Sequence, residues 1–398
     1  MINLTTVSQA LKVLYINPIR EFVNMQADPF AARILQTSDN ISGYQKIVRA
    51  CQIGANGGAG AGTETGALPI AGENMYQQFE SDTKNLYGTI SISDKILKSA
   101  TGADAGSFVN ALQRDVDTLV KTLKWSLARQ IYGDGTGKLV SLKTITSTTS
   151  NTYTVTSSNI RNVLPGLTVD VYDGATKISS SSTPTRIKDV DFKNGTITFD
   201  TPLTATSSAP AGVYLQGSKD LELTGLGKIF DASTYPTLYT LTRANHSWMK
   251  PYTTTSLGAI TEWGLQEVIN TLEDTYEINI NHIACGNKAY GSYMKLMNAR
   301  RHINDTLTLA GGHTALLFNG RPLTRTKFLD DKTIDMYDTS LFTIDQIADW
   351  EWLDDDVHGI LQRNARYATY EGSIAKYCDL MCVLPGGLAR LQGVSDPT

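Results

Sequence analysis

The stretch AGSFVNALQRDVDTLVKTLKWSLARQIYGDGTG, residues 105–137, decides the fold. Its apolar residues recur mostly at intervals of three and four, which marks one face of an amphipathic helix: Phe108, Leu112, Val116, Leu119, Val120, Leu123, Leu127 and Ile131. Asp104 or Ser107 can cap the start, and Gly133 with Gly135 can end it. At 1.5 Å per residue such a helix spans roughly 40 Å. No heptad array surrounds it, so the pattern predicts a single long helix on which a thin, extended body can be built.

Composition and charge exclude several classes of protein. The chain has 398 residues, of which 41% are hydrophobic, enough for two or three folded units. The formal net charge of −4 argues against a dense basic surface that coats nucleic acid. No run of about eighteen apolar residues occurs, so we expect no membrane span. Residues 1–22 lack the basic start, apolar core and cleavage site of a secretory signal.

Cysteine placement favours buried thiols. The four cysteines are widely scattered, at Cys51, Cys285, Cys378 and Cys382. The spacing of the last two is not the two-residue gap of a zinc knuckle or redox motif. Alternation in YCDLMCVLP would place four side chains on one face of a strand: Cys378, Leu380, Cys382 and Leu384. We therefore expect reduced, buried thiols and folding in a reducing cytosol.

The segments before the long helix differ in character. Residues 1–45 predict a helical or extended arm, because Pro18 and Pro29 interrupt any long helix. Residues 46–84 are rich in glycine and poor in large apolar side chains. Such a segment cannot bury a core of its own, so we expect a loop or ribbon that gains order from a neighbour. A strand is predicted next, from alternation at Leu86, Gly88, Ile90 and Ile92.

Residues 139–218 are rich in serine and threonine and contain few helix formers. Short alternating runs follow one another: NTYTVTS, LTVDVYD, RIKDVDF, TITFDTP and GVYLQG. Turn signals separate them, including Asp173-Gly174 and Asn194-Gly195. Five or six strands at this spacing predict a small barrel or sandwich, inserted between two parts of a larger body.

The larger body resumes after the inserted region as a mixture of helices and strands. Residues 259–276 predict a helix that Thr261 can cap, with one apolar face formed by Leu265, Val268, Ile269 and Leu272. NINHIACG predicts a strand and NKAYGSYMKLMNARR a second helix. FNGRPLTRTKF, TIDMYDTSLFTI and ATYEGSIAKYCDLMCVLP are strand-like. This order fits an α+β body better than a doubly wound sheet.

Several of these segments together resemble tailed-bacteriophage major capsid proteins of the Hong Kong 97-type fold. The long helix ends in the G-D-G-T-G of that family, and the G-L pair that follows it there is found here only after the inserted region. The order of later motifs also matches, through a T-E-x-x-L helix start, a G-x-P-L segment and a closing strand: Thr261, Glu262, Leu265; Gly320, Pro322, Leu323; Gly386-Gly387. The resemblance covers most of the chain outside the inserted region.

The resemblance implies a role for each segment. The fold would be an α+β Hong Kong 97-type fold with an inserted small all-β domain. Its parts would be an N-terminal arm (1–45), an extended E-loop lying over a neighbouring subunit (46–84), a P-domain strand and spine helix (85–138), the inserted β domain (139–218), mainly A-domain (219–360) and closing P-domain and A-domain strands (361–398).

The same resemblance implies partners and a location. Copies of the chain would form pentamers and hexamers of an icosahedral phage head, assembled in the host cytoplasm around double-stranded DNA. DNA contact would be weak and non-specific, since the chain has no basic arm. Many relatives begin with a scaffolding segment, which does not fit before the helix here, so a separate scaffolding protein is implied, with the portal and decoration proteins as further candidate partners. Lys46 and Lys84 flank the E-loop, but none lies in its glycine-rich middle, so an isopeptide crosslink is not expected.

The sequence offers no catalytic, cofactor or metal site. GDGTGKL fails as a phosphate loop, because Tyr132 occupies the first glycine position and Leu139 replaces the serine or threonine after Lys138. Repeated G-x-G spacing at residues 58–62 has no strand and helix around it, which favours a loop over a dinucleotide site. The acidic run at 354–356 beside His358 fits a solvated turn better than a cation site. Neither a nucleophile elbow nor a Cys-His pairing stands out, so we name no catalytic residue.

Two alternatives to a phage head stay open. A cellular nanocompartment shell of the encapsulin type would share the fold, and a cargo gene beside the coding region would favour it. A hydrolase with a β accessory domain is the third alternative, against which the missing catalytic constellation argues.

Overall fold

The computed structural model describes residues 28–43, 46–52, 54, 56–95, 105–156, 158–180, 183–207, 210–299, 306–308, 314–353, 360–364 and 367–397. Several sequence expectations lie outside the described residues and side chains. These are most of the N-terminal arm, the capping and apolar residues at the start of the long helix, and the acidic turn: residues 1–27, Asp104, Ser107, Phe108, Leu112, 354–356 and His358.

The long helix spans Ala105–Tyr132, as the periodicity predicts. It ends at Gly133, whose N–H donates to the carbonyl of Gln130 at 3.0 Å. Its apolar stripe is buried, at Val116, Leu123, Leu127 and Ile131. This face packs on the strand Lys84–Ser93, where a Cβ added at Gly88 would lie 3.0 Å from both Leu119 and Leu123. Glycine at this position therefore allows the close approach of helix and sheet.

A five-stranded sheet lies under the helix. Its strands are Leu35–Thr37, Lys84–Ser93, Phe342–Trp352, Gln362–Arg363 and Thr369–Cys382. The last of these is central, with Lys84–Ser93 antiparallel on one edge and Phe342–Trp352 antiparallel on the other. Phe342–Trp352 lies within the range 219–360 and is joined by its hydrogen bonds to the sheet under the long helix.

The central strand is buried on both faces at its C-terminal end. Cys378 and Cys382 are buried as expected, and all four cysteines are free thiols. Asp379 and Met381, which point to the opposite face, are equally buried. Leu384 was expected on the same strand, but the strand ends at Cys382. The alternation of Cys378, Leu380 and Cys382 therefore describes only one of the two buried faces of this strand.

A β-hairpin projects from the sheet. Its arms are Lys46–Gln52 and Tyr76–Asp82, paired antiparallel so that Lys46 lies opposite Asp82 and Gln52 opposite Tyr76. The short strand Ile41–Ser42 pairs with the first arm. Residues 56–75, which we call the tip, carry no helix or strand. The ribbon predicted from the glycine-rich composition is therefore a hairpin with an irregular tip.

The region after the long helix forms a β-barrel. Its strands are Lys138–Ser141, Thr152–Thr154, Thr168–Asp173, Thr176–Lys177, Thr185–Asp191, Thr196–Phe199 and Gly212–Leu215. Gly174 and Gly195 have φ of 57° and 66°, the left-handed conformation that their turns require. Lys143 N–H donates to Thr154 O at 2.8 Å and Thr156 N–H donates to Ser141 O at 2.7 Å, which joins the two edge strands. Of the two expected forms, barrel and sandwich, the sheet takes the closed one.

The barrel has a hydrophobic core of its own, formed by inward-facing side chains such as Val169, Val171, Ile187, Ile197, Phe199 and Val213. Trp125 of the long helix belongs to this core and is buried there. The barrel is therefore packed on the helix as well as joined to it by the chain.

A third layer contains the remaining helices and a mixed seven-stranded sheet. Its strands are Tyr252–Thr254, His282–Cys285, Thr306–Thr308, Thr314–Phe318, Arg321–Arg325, Ile334–Tyr337 and Ala389–Leu391. The helices Glu262–Tyr276 and Asn287–Ala299 cover this sheet. Thr261 caps the first, accepting from Gly264 N–H at 3.0 Å. Ala259, expected in that helix, instead lies in the short strand Gly258–Ala259, which pairs with Val394–Ser395.

Short elements connect these layers. They are the helix Leu226–Phe230, the strands Thr237–Leu238 and Leu241–Thr242, and the 3-10 turns Ala31–Arg33, Ser158–Asn162, Arg243–Asn245, Ser247–Met249, Thr339–Leu341 and Pro385–Gly387.

Candidate assembly surface

Surface features, and not a catalytic cluster, mark the candidate functional site. Among the residues that the structure describes, no three histidine, cysteine, aspartate or glutamate side chains lie close enough together to hold a metal ion. Within the same ranges, none of the helices has both the length and the apolar character needed to cross a bilayer. The hairpin, by contrast, combines a firmly held base with a strongly exposed tip.

The first arm of the hairpin is tied to the central sheet by a buried ion pair. Arg49 donates to the two carboxylate oxygens of Asp345 at 3.0 and 3.1 Å. Asp345 is fully buried and also accepts from Asn40 Nδ2 at 2.9 Å. Such a bidentate contact fixes both the position and the direction of the arm.

The second arm is tied to a second buried carboxylate. Ser81 Oγ donates to Asp379 at 2.6 Å, and the backbone N–H groups of Thr224 and Leu380 donate to the same side chain at 2.7 and 2.9 Å. Burial raises the pKa of Asp379, although these donors act in the opposite direction. Asp345 and Asp379 lie opposite each other in the strand register, so the two arms are held side by side.

Apolar packing completes the base. Phe79 is buried, with its ring centroid 5.7 Å from that of Tyr239 and 6.4 Å from that of Trp248. The N–H of Glu80 donates to Tyr239 O at 3.2 Å. Residues 46–84 were expected to gain order from a neighbour, but both arms are packed on their own chain. Among the described residues of this segment, the tip is the part that lacks such support.

The tip exposes large aliphatic side chains. Leu68 is 88% and Ile70 90% exposed, and Met75, at the end of the tip, and Tyr76, at the start of the second arm, are also exposed. A monomer gains nothing by presenting large apolar side chains to water, and exposed apolar surface of this kind is typical of an interaction site. Lys46 of the first arm is exposed and donates to Glu80 at 2.9 Å, within the hairpin itself.

The GDGTG turn has a structural role at the base of the barrel. Asp134 accepts from both N–H and Oγ1 of Thr136 and from the Tyr235 hydroxyl, the last at 3.0 Å. Asp220 N–H donates to Thr136 O at 2.8 Å, so the segments that lead into and out of the barrel lie next to each other. The Gly225-Leu226 pair then packs against the end of the long helix, where Gly227 N–H donates to Gly133 O at 2.9 Å.

Sequence reasoning missed the residues that hold the hairpin, namely Arg49, Asp345, Asp379 and Tyr239. A usable signal was present for two of them. Asp345 and Asp379 each interrupt an apolar strand, in FTIDQI and YCDLMC, and a carboxylate that is buried in such a strand needs a partner. The partners themselves lie too far away in the sequence to be identified by pattern.

Comparisons with known proteins agree with this architecture. No family model matches the sequence, and no curated protein is similar to it in sequence. By fold, the chain is similar to a chain of the cyanophage A-1(L) capsid asymmetric unit, with a TM-score of 0.52 and 8% identity, over 95% of this chain and 92% of that one. Weaker likenesses are to the capsid of a native GTA particle (TM-score 0.45, 11% identity, 90% and 95% of the two chains) and to the holo-SrpI encapsulin complex from Synechococcus elongatus PCC 7942 (0.41, 10%, 81% and 78%).

The chain therefore has a mixed α+β fold shared with this phage capsid chain. The resemblance to tailed-phage capsid proteins that the sequence carries is confirmed at the level of the fold.

Proposed function

We propose that this chain is a major capsid protein of a tailed bacteriophage, which assembles through pentamers and hexamers into an icosahedral head around double-stranded DNA. One observation carries the proposal beyond the fold. The hairpin is held firmly at its base by Asp345 and Asp379, while its tip presents Leu68 and Ile70 to solvent, uncovered by the part of the chain that the structure describes. A second copy of the chain is the natural partner for such a tip, because in a shell of identical subunits each tip can then pack on the same surface of a neighbouring subunit.

We assign the segments accordingly. The N-terminal arm would comprise residues 1–45 and the E-loop 46–84. Residues 85–138 would form the P-domain with its spine helix, to which we add the strand Phe342–Trp352 because it shares that sheet. The barrel would be an inserted domain, 139–218, supported by the hydrogen bond between Asp220 and Thr136 that brings its two ends together. Most of the mixed sheet and its two helices would form the A-domain, and the strands after 361 would close both layers.

In this proposal the mechanism is mechanical. Each interface contributes modestly, and the closed lattice is stable because every subunit is held by several neighbours at once. Contact with DNA is weak and non-specific, as suits a net charge of −4. A separate scaffolding protein, the portal and decoration proteins are the further partners, and the location is the virion capsid after assembly in the host cytoplasm. The chain itself carries out no chemistry.

Electron microscopy of the purified full-length chain tests the proposal, with and without a co-expressed candidate scaffolding protein. We expect closed icosahedral particles whose projections resolve pentamers and hexamers. A uniform monomer or dimer under every condition would contradict it. Closed particles that form readily without scaffold and retain a co-expressed enzyme would favour the nanocompartment alternative instead.

A further inference from the structure

A strained turn lies directly beneath the second arm of the hairpin. Leu238 pairs with Leu241, so Tyr239 and Thr240 form a two-residue turn between the short strands Thr237–Leu238 and Leu241–Thr242. Their φ angles are 50° and 68°. A turn with two positive φ angles normally contains asparagine or glycine, and a β-branched threonine in this region of backbone space is unfavourable.

Contacts from two sides hold the turn in this conformation. From the central strand, the Tyr239 hydroxyl donates to Leu380 O at 2.9 Å and accepts from Cys382 N–H at 3.1 Å. From the hairpin, Glu80 N–H donates to Tyr239 O, and the ring of Phe79 packs on the ring of Tyr239. The arm that exposes the tip therefore shares two contacts with the strained turn.

Backbone strain persists only where the surroundings over-determine the conformation. The hairpin arm supplies part of that constraint, so lifting the arm would allow the turn to relax. Strain in the turn then lowers the free-energy difference between the docked and the lifted arm. We propose that the Tyr239–Thr240 turn is a release device, which holds the hairpin arm in the docked orientation while favouring its departure. This concerns motion within one chain and does not depend on the proposed shell function.

Hydrogen exchange on the unassembled full-length chain tests the proposal. Thr240→Gly removes the strain and should slow exchange of the Glu80 amide proton, which is bonded to Tyr239 O, about tenfold, because the docked state becomes more stable relative to the lifted one. Thr240→Ala is the matched control, since it also deletes the hydroxyl that donates to Tyr239 O but keeps a Cβ in the left-handed region. It should leave exchange of the Glu80 amide within about twofold of wild type.

A second control separates local from global effects. Glu277→Gly removes another positive-φ side chain, with φ of 54°, at the end of the helix Glu262–Tyr276 and away from the hairpin. It should raise the melting temperature without slowing exchange of the Glu80 amide. Equal slowing in Thr240→Gly and Thr240→Ala would overturn the proposal, because the hydroxyl and not the strain would then be responsible. Equal slowing in Thr240→Gly and Glu277→Gly, or no slowing in any variant, would overturn it as well.

Discussion

A Cβ atom placed on Gly225 would lie 2.3 Å from the carbonyl oxygen of Gln130. The loop that leaves the barrel thus crosses the last turn of the long helix with no room for a side chain. Gly133 O lies almost as close, at 2.4 Å from the same position. This close approach is the physical reason for a glycine at position 225. The end of the long helix and the loop at Gly225 are thus in contact, although the barrel lies between them in the sequence.

Gly225→Ala should therefore destabilise the chain. The methyl group would force apart the helix end and the loop, and overpacking of this kind costs about 1–3 kcal/mol. Urea unfolding of the purified variant measures the loss. Gly291→Ala is the matched control, because no atom lies within 4 Å of the added Cβ in the helix Asn287–Ala299. It should leave stability unchanged or slightly raised, and an equal loss in both variants would contradict the argument.

Trp125 should couple the barrel to the long helix. Its ring belongs to the core of the barrel although its backbone belongs to the helix. Trp125→Ala would open a cavity at this junction and should cost about 3–5 kcal/mol. Limited proteolysis within 139–218, followed by mass spectrometry, reports whether the barrel loosens. Lys121→Ala, one turn earlier and exposed, should change neither stability nor cleavage. A barrel that stays resistant in the Trp125 variant would show that its fold does not need the helix.

The ion pair between Arg49 and Asp345 should fix the base of the hairpin. Asp345→Asn keeps the size of the side chain but removes the charge that accepts two hydrogen bonds, so we expect a loss of about 1.5–3 kcal/mol. Thermal unfolding measures it. Lys46→Ala breaks the exposed pair with Glu80 on the same arm and should have little effect, since exposed pairs are screened by water. Equal effects of the two substitutions would argue against a special role for the buried pair.

Local sequence patterns predict helices and strands, but they do not identify contacts between residues that are far apart in the chain. The stripe at Val116, Leu123 and Leu127 predicts the long helix because three- and four-residue spacing is a local property. Alternation of apolar and polar residues in the runs LTVDVYD and RIKDVDF predicts barrel strands for the same reason. Arg49 and Asp345, in contrast, are 296 residues apart, and no local periodicity identifies a partner at that separation. Sequence reasoning could therefore mark Asp345 as a candidate buried carboxylate but could not identify Arg49 as its partner, whereas the glycine-rich composition of the tip was evident.

His282 should make the fold sensitive to acid. Burial, and then the positive charge of Arg33, lower the pKa of His282 to about 3, against about 6.5 in an unfolded chain. Between these values the unfolded state binds a proton that the folded state does not, so stability is fully present above pH 6.5 and falls as the pH is lowered. From pH 7 to pH 5 this amounts to about 2 kcal/mol.

The pH dependence can be separated from the packing of the same side chain. His282→Gln keeps a group able to hydrogen bond to Thr324, which lies 3.0 Å from Nε2, but it cannot titrate. We expect lower stability at pH 7 with a flatter decline toward pH 5, measured by urea unfolding at half-unit steps. Parallel curves for wild type and variant would assign the acid sensitivity to other groups.

The exposed tip should matter to assembly and not to folding. Leu68 and Ile70 make almost no contact with their own chain, since both are close to fully exposed. The double variant Leu68→Gln, Ile70→Gln should therefore leave the free energy of unfolding within about 0.5 kcal/mol of wild type. In the proposed shell the same two side chains are buried against a neighbouring copy, so their loss is repeated at every subunit and should prevent closed particles from forming. Phe192→Gln, which removes an exposed aromatic side chain from the barrel, is the control and should assemble normally. Normal particles from the tip variant would separate the tip from assembly, even if the chain does form a shell.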